Sequence, residues 1–196
     1  MSHYFVDDPN LRSARKSFDY AFGNEHFTFT TDFGVFAKGH ADFGTYLLLK
    51  YAMQHQLGDA ILDLGCGYGV VGVILKRLLP QAHIDMVDVN SRAVELAKYN
   101  AAKNQCDVSA YLTEDIISLQ KTYHSILFNP PIRAGKRVIY ELYKKAHQIL
   151  EKGGHLFLVV RRQHGAESHI QELKELFKDV SILGKEAGYW LLKADK

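Results

Sequence analysis

The sequence predicts an α/β protein: a mostly parallel seven-stranded sheet with helices on both faces and an antiparallel last strand. Three patterns predict it. From about residue 41 onward, short apolar runs alternate with stretches of helical periodicity, which demands parallel strands joined by crossover helices. The last two runs lie too close for a crossover, so they must be antiparallel to each other. Before this core, Phe18, Tyr20 and Phe22 alternate with polar residues, Gly23-Asn24 offers a turn, and Phe27 and Phe29 alternate again. That is a β-hairpin signature. Residues 1–40 are expected to form an N-terminal extension packed on the core, being too few to stand alone, and residues 41–196 a single globular unit.

Taken in order, Asp42 can cap a helix carrying Tyr46, Leu47, Leu49 and Met53 on its apolar side. Ala60 to Leu64 reads as a buried strand, and Val70 to Leu79 as a helix closed by Pro80. A second strand spans His83 to Val89. The helix after it starts at Ser91, with Ala93, Val94, Ala97 and Ala101 at helical spacing. Val108 to Leu112 and Ser125 to Phe128 are further strands. Val138 to Leu150 is a helix expected to end at Gly153-Gly154, and His155 to Val160 is a strongly apolar strand. A helix over roughly Glu167 to Phe177 leads to the terminal pair, Val180 to Leu183 and Gly188 to Leu192.

Composition narrows the class. With 196 residues and 47% hydrophobic content, the chain can bury a full core. Two cysteines, Cys66 and Cys106, give no disulfide framework, and the ten histidines show no metal-ligand spacing. No signal-peptide pattern or membrane-length apolar run is seen, so a cytoplasmic protein without metal or membrane partner is expected. The formal charge of +2 hides an asymmetry: residues 133–162 hold eight Lys or Arg against Glu141 and Glu151. That local excess fits an anionic partner on one side, although Lys144 and Lys145 fit a solvated helix face equally well.

Two motifs carry chemistry. Asp63-Leu64-Gly65-Cys66-Gly67-Tyr68-Gly69 follows the first core strand, the point where parallel α/β sheets bind ligands. A dinucleotide site would need a glycine where Val70 stands. Asp63 instead suits a ligand with a cationic sulfonium and amino group, as in S-adenosylmethionine. Asp88, ending the second strand, can accept both ribose hydroxyls, each charge-assisted bond contributing about 1.5–3 kcal/mol; otherwise it would cap the helix near Ser91. Asp115 is a candidate acceptor for the adenine amine. Val89 and Ile116, which follow these two carboxylates, belong to the same expected cofactor site.

The second motif is Asn129-Pro130-Pro131-Ile132, which holds two of the four prolines. Prolines carry no N–H and stiffen a turn, leaving its carbonyls free to accept. The Asn129 side-chain oxygen and the Pro130 carbonyl can grip both hydrogens of a planar –NH2 group, favouring a pyramidal nitrogen aimed at a methyl donor. Pro131 fixes the next peptide. Arg133, Lys136 and Arg137 follow at once, and Arg161-Arg162 leave the fifth core strand at the same sheet edge, placed to hold phosphates around an extruded nucleotide.

This combination resembles the class I S-adenosylmethionine-dependent methyltransferases, a Rossmann-like fold, that act on planar amino groups. It is most similar to the RsmC-like family, which methylates guanine N2 in 16S small-subunit ribosomal RNA. The likeness rests on His3-Tyr4-Phe5 with Pro9, Gly34-Val35-Phe36, Asp42-Phe43-Gly44-Thr45, Asp63 to Gly69, Asp88-Val89-Asn90, Asn129 to Lys136, and Gly188-Tyr189. It implies that Phe36 and Thr45 help enclose the cofactor and that ribosomal RNA or the small subunit is the partner. Larger members carry a second, degenerate domain. Many amine methyltransferases also have an aromatic residue where this chain has Ile132. Two alternatives stay open: an N5-glutamine protein methyltransferase, and a non-catalytic RNA-binding module on the same fold.

Overall fold

The computed structural model describes residues 12–35 and 42–196. Phe36, with the His3-Tyr4-Phe5 and Pro9 positions, lies outside the described residues.

The hairpin forms as expected. Strands β1 (Lys16–Phe22) and β2 (Glu25–Thr31) pair antiparallel across Gly23-Asn24, with Gly23 at φ +59°, a conformation glycine adopts at little cost. Helix α1 is Phe43–Ala52, followed by β3 (Ala60–Leu64), α2 (Val70–Leu78), β4 (His83–Asp88), α3 (Ser91–Lys103) and β5 (Ser109–Leu112). Then come β6 (Tyr123–Phe128), α4 (Lys136–Ile149), β7 (Leu150–Arg161), α5 (Ala166–Leu176), β8 (Asp179–Glu186) and β9 (Tyr189–Asp195). The seven-stranded sheet has the order β5-β4-β3-β6-β7-β9-β8. Its neighbours pair in parallel except that β9 runs antiparallel to both β7 and β8. The chain order reverses between β3 and β6, so their carboxyl ends flank a natural ligand crevice.

Side-chain alternation separates two cores. Ile61, Leu127, Phe157 and Val159 face α1, α2 and α3, whereas Leu62, Leu64, Ile126, Phe128, Leu156 and Leu158 face α4 and α5. The hairpin joins the first of these through buried Phe27 and Phe29. Its backbone is held by two asparagines one turn apart, Asn100 on α3 and Asn104 at its C-cap. Asn100 Oδ1 accepts from Thr30 N at 2.7 Å while its Nδ2 donates to the carbonyls of Thr30 and Tyr68. Asn104 repeats the exchange with Thr28 at 3.0 Å each way. These carboxamides stand in for a neighbouring strand and satisfy the free edge of β2.

The glycine pair at 153–154 differs from expectation. Helix α4 ends at Ile149, and Gly153-Gly154 lie inside β7. There Tyr123 pairs Leu150 but Ser125 pairs His155, so the glycines build a bulge instead of a helix cap. A Cβ at Gly154 would come within 2.9 Å of the His124 carbonyl oxygen. Among the described residues no helix is long and apolar enough to cross a membrane.

Candidate active site

A cavity of about 460 Å³ opens at the carboxyl ends of β3, β4 and β6. Thr45, Asp63, Gly65, Cys66, Gly67, Asp88, Val89, Ile116, Asn129, Pro130 and Pro131 all line it. Each is a residue that the sequence points to, and the fold gathers them from separate segments of the chain. Gly67 takes φ +55° where an added Cβ would meet nothing within 4 Å, so backbone conformation alone demands glycine there. Gly69, at φ +90°, caps α2 without lining the cavity. A Cβ there would stand 3.0 Å from Ala97 Cα, so this glycine sets how closely α2 and α3 pack. Cys66 is buried, and burial pushes its thiol well above the usual range. It is wall, not nucleophile.

The carboxylates are placed by backbone amides. Gly69 offers no side chain to cap α2, and Asp63 Oδ2 does that work from the sheet by accepting from Gly72 N at 3.0 Å. Burial raises the Asp63 carboxyl to about 7, with Asp88 adding to the effect and the Gly72 amide opposing it. Asp88 Oδ2 accepts from Gly67 N at 2.8 Å and Oδ1 from Asn90 N at 2.9 Å; burial raises its pKa, with those amides opposing. The α3 cap is Asn90, whose Oδ1 accepts from Arg92 N and Ala93 N. The Val89 amide also bears on this carboxylate, and its four lone-pair sites still leave capacity for a further donor.

Asn129 directly follows β6, with its amide turned in a definite sense. Nδ2 donates to Thr45 Oγ1 at 3.0 Å and to Asp42 Oδ2 at 3.2 Å. That leaves Oδ1 as the uncommitted group at the cavity wall, beside buried Pro130. Asp42 also caps α1, accepting from Thr45 N at 3.1 Å. The cap is legible in the sequence but the contact to Asn129 is not, because the two residues are 87 positions apart.

A family model, the methyltransferase small domain, matches residues 26–193. The chain belongs to the methyltransferase small domain family. Bacillus subtilis YbxB is 40% identical over 197 residues, covering 99% of this chain and 98% of YbxB. Ribosomal RNA small subunit methyltransferase C of Hahella chejuensis is 31% identical over 154 residues, covering 74% of this chain and 45% of that protein. A T. thermophilus 16S rRNA N2 methyltransferase, RsmC, solved with AdoMet and guanosine, superposes at a TM-score of 0.84 and 26% identity. It covers 96% of this chain and 52% of that one. In sequence and fold this methyltransferase domain is therefore RsmC-like, and it spans about half the length of those ribosomal RNA methyltransferases.

Two further expected site residues in this methyltransferase domain sit differently. Asp115 is exposed and outside the cavity lining: its carboxylate accepts from Ile117 N at 3.3 Å and pairs with Lys145 at 3.0 Å. Those partners, the Lys145 hydrogen bond first, hold its pKa below the ordinary value. At that level the wall is made by Thr113, Glu114 and Ile116. Ile132 packs against the α4–α5 core and likewise does not line the cavity. Lys145 is spent on Asp115 and Lys144 on Glu141 at 2.7 Å, which removes both from the free basic surface. Of the remaining cations, Arg133, Arg137, Arg161 and Arg162 are exposed. Lys136 bonds Ser168 Oγ at 2.7 Å, and the Arg161 guanidinium lies 4.6 Å from the centre of the Tyr189 ring. Val138 and Leu142 of α4 complete an apolar wall that sequence periodicity could only read as a helix face.

Proposed function

We propose that this chain transfers a methyl group from S-adenosylmethionine to an exocyclic amino nitrogen, and that the amine is guanine N2 in 16S ribosomal RNA. The orientation of Asn129 carries this reading: its amide hydrogens are spent on Asp42 and Thr45, so Oδ1 is left to accept. The cavity fits the cofactor on chemical grounds. Asp63 is a buried carboxylate that gains from a cationic neighbour, Asp88 has acceptor capacity for a ribose, and Val89, Ile116, Val138 and Leu142 offer an apolar wall for a flat ring. When bound, S-adenosylmethionine supplies an electrophilic methyl carbon on a positively charged sulfur.

The residues of the chain then do the rest. Asn129 Oδ1 and the Pro130 carbonyl accept the two amine hydrogens and aim the nitrogen lone pair. Bound S-adenosylmethionine would supply the methyl carbon to that lone pair and keep the C–S electron pair, and the amine would afterwards release one proton to water. Alignment supplies most of the acceleration, and no strong base is needed because the amine grows acidic as the bond forms. Guanine is supported by the likeness to the RsmC solved with AdoMet and guanosine. RNA is supported by the exposed Arg133 and Arg137, which follow β6, and the exposed Arg161 and Arg162, which end and follow the neighbouring strand β7. With Ile132 partly buried against the α4–α5 core, the candidate ring for base stacking is Phe43, which is 43% exposed next to Asp42 and held against Tyr46 and Tyr189.

The test is transfer of labelled methyl from S-adenosylmethionine to undermodified small ribosomal subunits, followed by nucleoside mass spectrometry. Label in N2-methylguanosine is the expected result. Label in a protein fraction, with none in RNA, would move the case to a glutamine amide, and a protein that binds no S-adenosylmethionine would be a non-catalytic fold.

A further inference from the structure

We infer that Asp42 is a positioning residue for methyl transfer: its carboxylate fixes which way the Asn129 amide faces and strengthens the Asn129 oxygen as an acceptor. The inference rests on the methyl-transfer reading of the site and adds a residue and a physical cause to it.

An asparagine amide can present either its oxygen or its nitrogen to a site, and the two poses have nearly the same shape. Only one pose can serve an amine whose hydrogens need acceptors. At Asn129 the choice is enforced from behind. Asp42 Oδ2 lies 3.2 Å from Nδ2, and a carboxylate accepts without donating. Rotating the amide would set two oxygens against each other, so Oδ1 is held toward the cavity. Thr45 Oγ1 takes the second amide hydrogen at 3.0 Å but as a hydroxyl could serve either pose, so the selection belongs to Asp42.

The local backbone is arranged around this contact. Asp42 has an extended conformation, φ −64° and ψ 138°, at the start of α1, and the same Oδ2 also accepts from Thr45 N at 3.1 Å. The cap thus locks the carboxylate that locks the amide. Gly44 makes room for it: a Cβ there would lie 2.7 Å from Asp42 Oδ2 and 2.9 Å from Tyr189 Cε1.

The carboxylate has a second effect. An N–H that donates to a full negative charge pushes electron density toward its own carbonyl oxygen, so bonds in such a chain reinforce one another. The amine hydrogens become more acidic as the nitrogen gains positive charge, and their bond to Oδ1 strengthens on the way to the transition state. Asp42 therefore acts on kcat more than on binding.

Three variants and two readouts test this. Asn is as good a helix cap as Asp, so Asp42→Asn keeps α1 and removes the charge. It should lower kcat by about 5- to 30-fold, the gap between a charge-assisted and a neutral hydrogen bond, with S-adenosylmethionine affinity and RNA KM within about twofold. Asn129→Asp alone sets two carboxylates face to face and should lose about 10²-fold or more. The double variant Asp42→Asn/Asn129→Asp restores one donor and one acceptor, and should recover at least about tenfold over Asn129→Asp. Independently of turnover, the Asn129 side-chain NH2 protons in the cofactor-free protein should shift upfield in Asp42→Asn by NMR, with Tm unchanged. Wild-type kcat in Asp42→Asn, an unmoved NH2 resonance, or a double variant no better than Asn129→Asp would overturn the inference and leave methyl transfer standing. A wild type that methylates nothing would bring down both.

Discussion

Asp63 should make S-adenosylmethionine binding depend on pH around neutrality. Burial, with Asp88 nearby, raises its carboxyl from 3.8 to about 7. In the cofactor-free protein at pH 6 only about one molecule in eleven then carries the charge, against about ten in eleven at pH 8. A cationic ligand prefers the ionised form, so the affinity of wild type relative to Asp63→Asn should rise about tenfold from pH 6 to pH 8. Taking the ratio cancels any titration of the ligand. Stability moves the other way. Because the folded pKa lies above the unfolded one, the stability it contributes is full below about pH 3.8 and is lost as pH rises through about 7. At ~1.4 kcal/mol per unit, the loss is up to ~4 kcal/mol. In Asp63→Asn the new amide oxygen can still accept from Gly72 N, so this variant should fold and should not show the loss. Calorimetric titrations and thermal melts from about pH 5.5 to about pH 8.5 measure both. An affinity ratio flat across that range, or wild-type affinity in Asp63→Asn at every pH, would refute the reasoning.

Asn129→Ala should slow transfer about 10²- to 10³-fold while cofactor affinity, set by β3 and β4, barely changes; normal turnover in that variant would sink the mechanism. Replacing Arg133 and Arg137 by alanine should weaken RNA binding and flatten its dependence on log salt by about 0.7 for each phosphate no longer neutralised, whereas Lys136, already bonded to Ser168, should contribute less. An unchanged slope would make both arginines ordinary surface. At the β8–β9 turn, Ala187 has φ +48° beside Gly188 at φ +81°, a left-handed pose that costs an L-residue about 1–2 kcal/mol. Ala187→Asn should recover ~0.5–1 kcal/mol and raise Tm by about 1–4 °C, and a fall in Tm would show that the turn is not strained.

Much of this is legible in the sequence, and the reason is physical. Helix and strand periods report which face is buried, so they find every core strand and helix and most of their ends, the start of β7 at Leu150 excepted. Glycines and prolines report backbone conformation, so Gly67 and the Asn129-Pro130-Pro131 turn can be assigned from residue type and spacing alone. Gly153-Gly154 mislead because the same residues that end helices also build bulges, and only the pairing of β6 with β7 distinguishes the two. Nothing local in the sequence marks Asn100 and Asn104 as buried, because their partners lie far off in the chain at Thr30 and Thr28.

The same division explains the site. A residue whose task is to bend the backbone carries its role in its own chemistry, but a polar side chain acquires a role from whatever faces it. Asp115 reads as a cavity acid until Lys145 on α4 takes its carboxylate. Asp42 reads as a helix cap until β6 brings Asn129 to the same oxygen. The group expected to grip the amine stands just past a central strand, whereas the charge that orients it stands just ahead of the helix that precedes that sheet. Activity should therefore be sensitive to how α1 sits on β7 and β9, even though no side chain of either strand lines the cavity. Repacking that interface so that Asp42 moves by about an ångström should lower kcat without loosening the cofactor, whereas an equal loss of both would mean that the cavity responds as a single body.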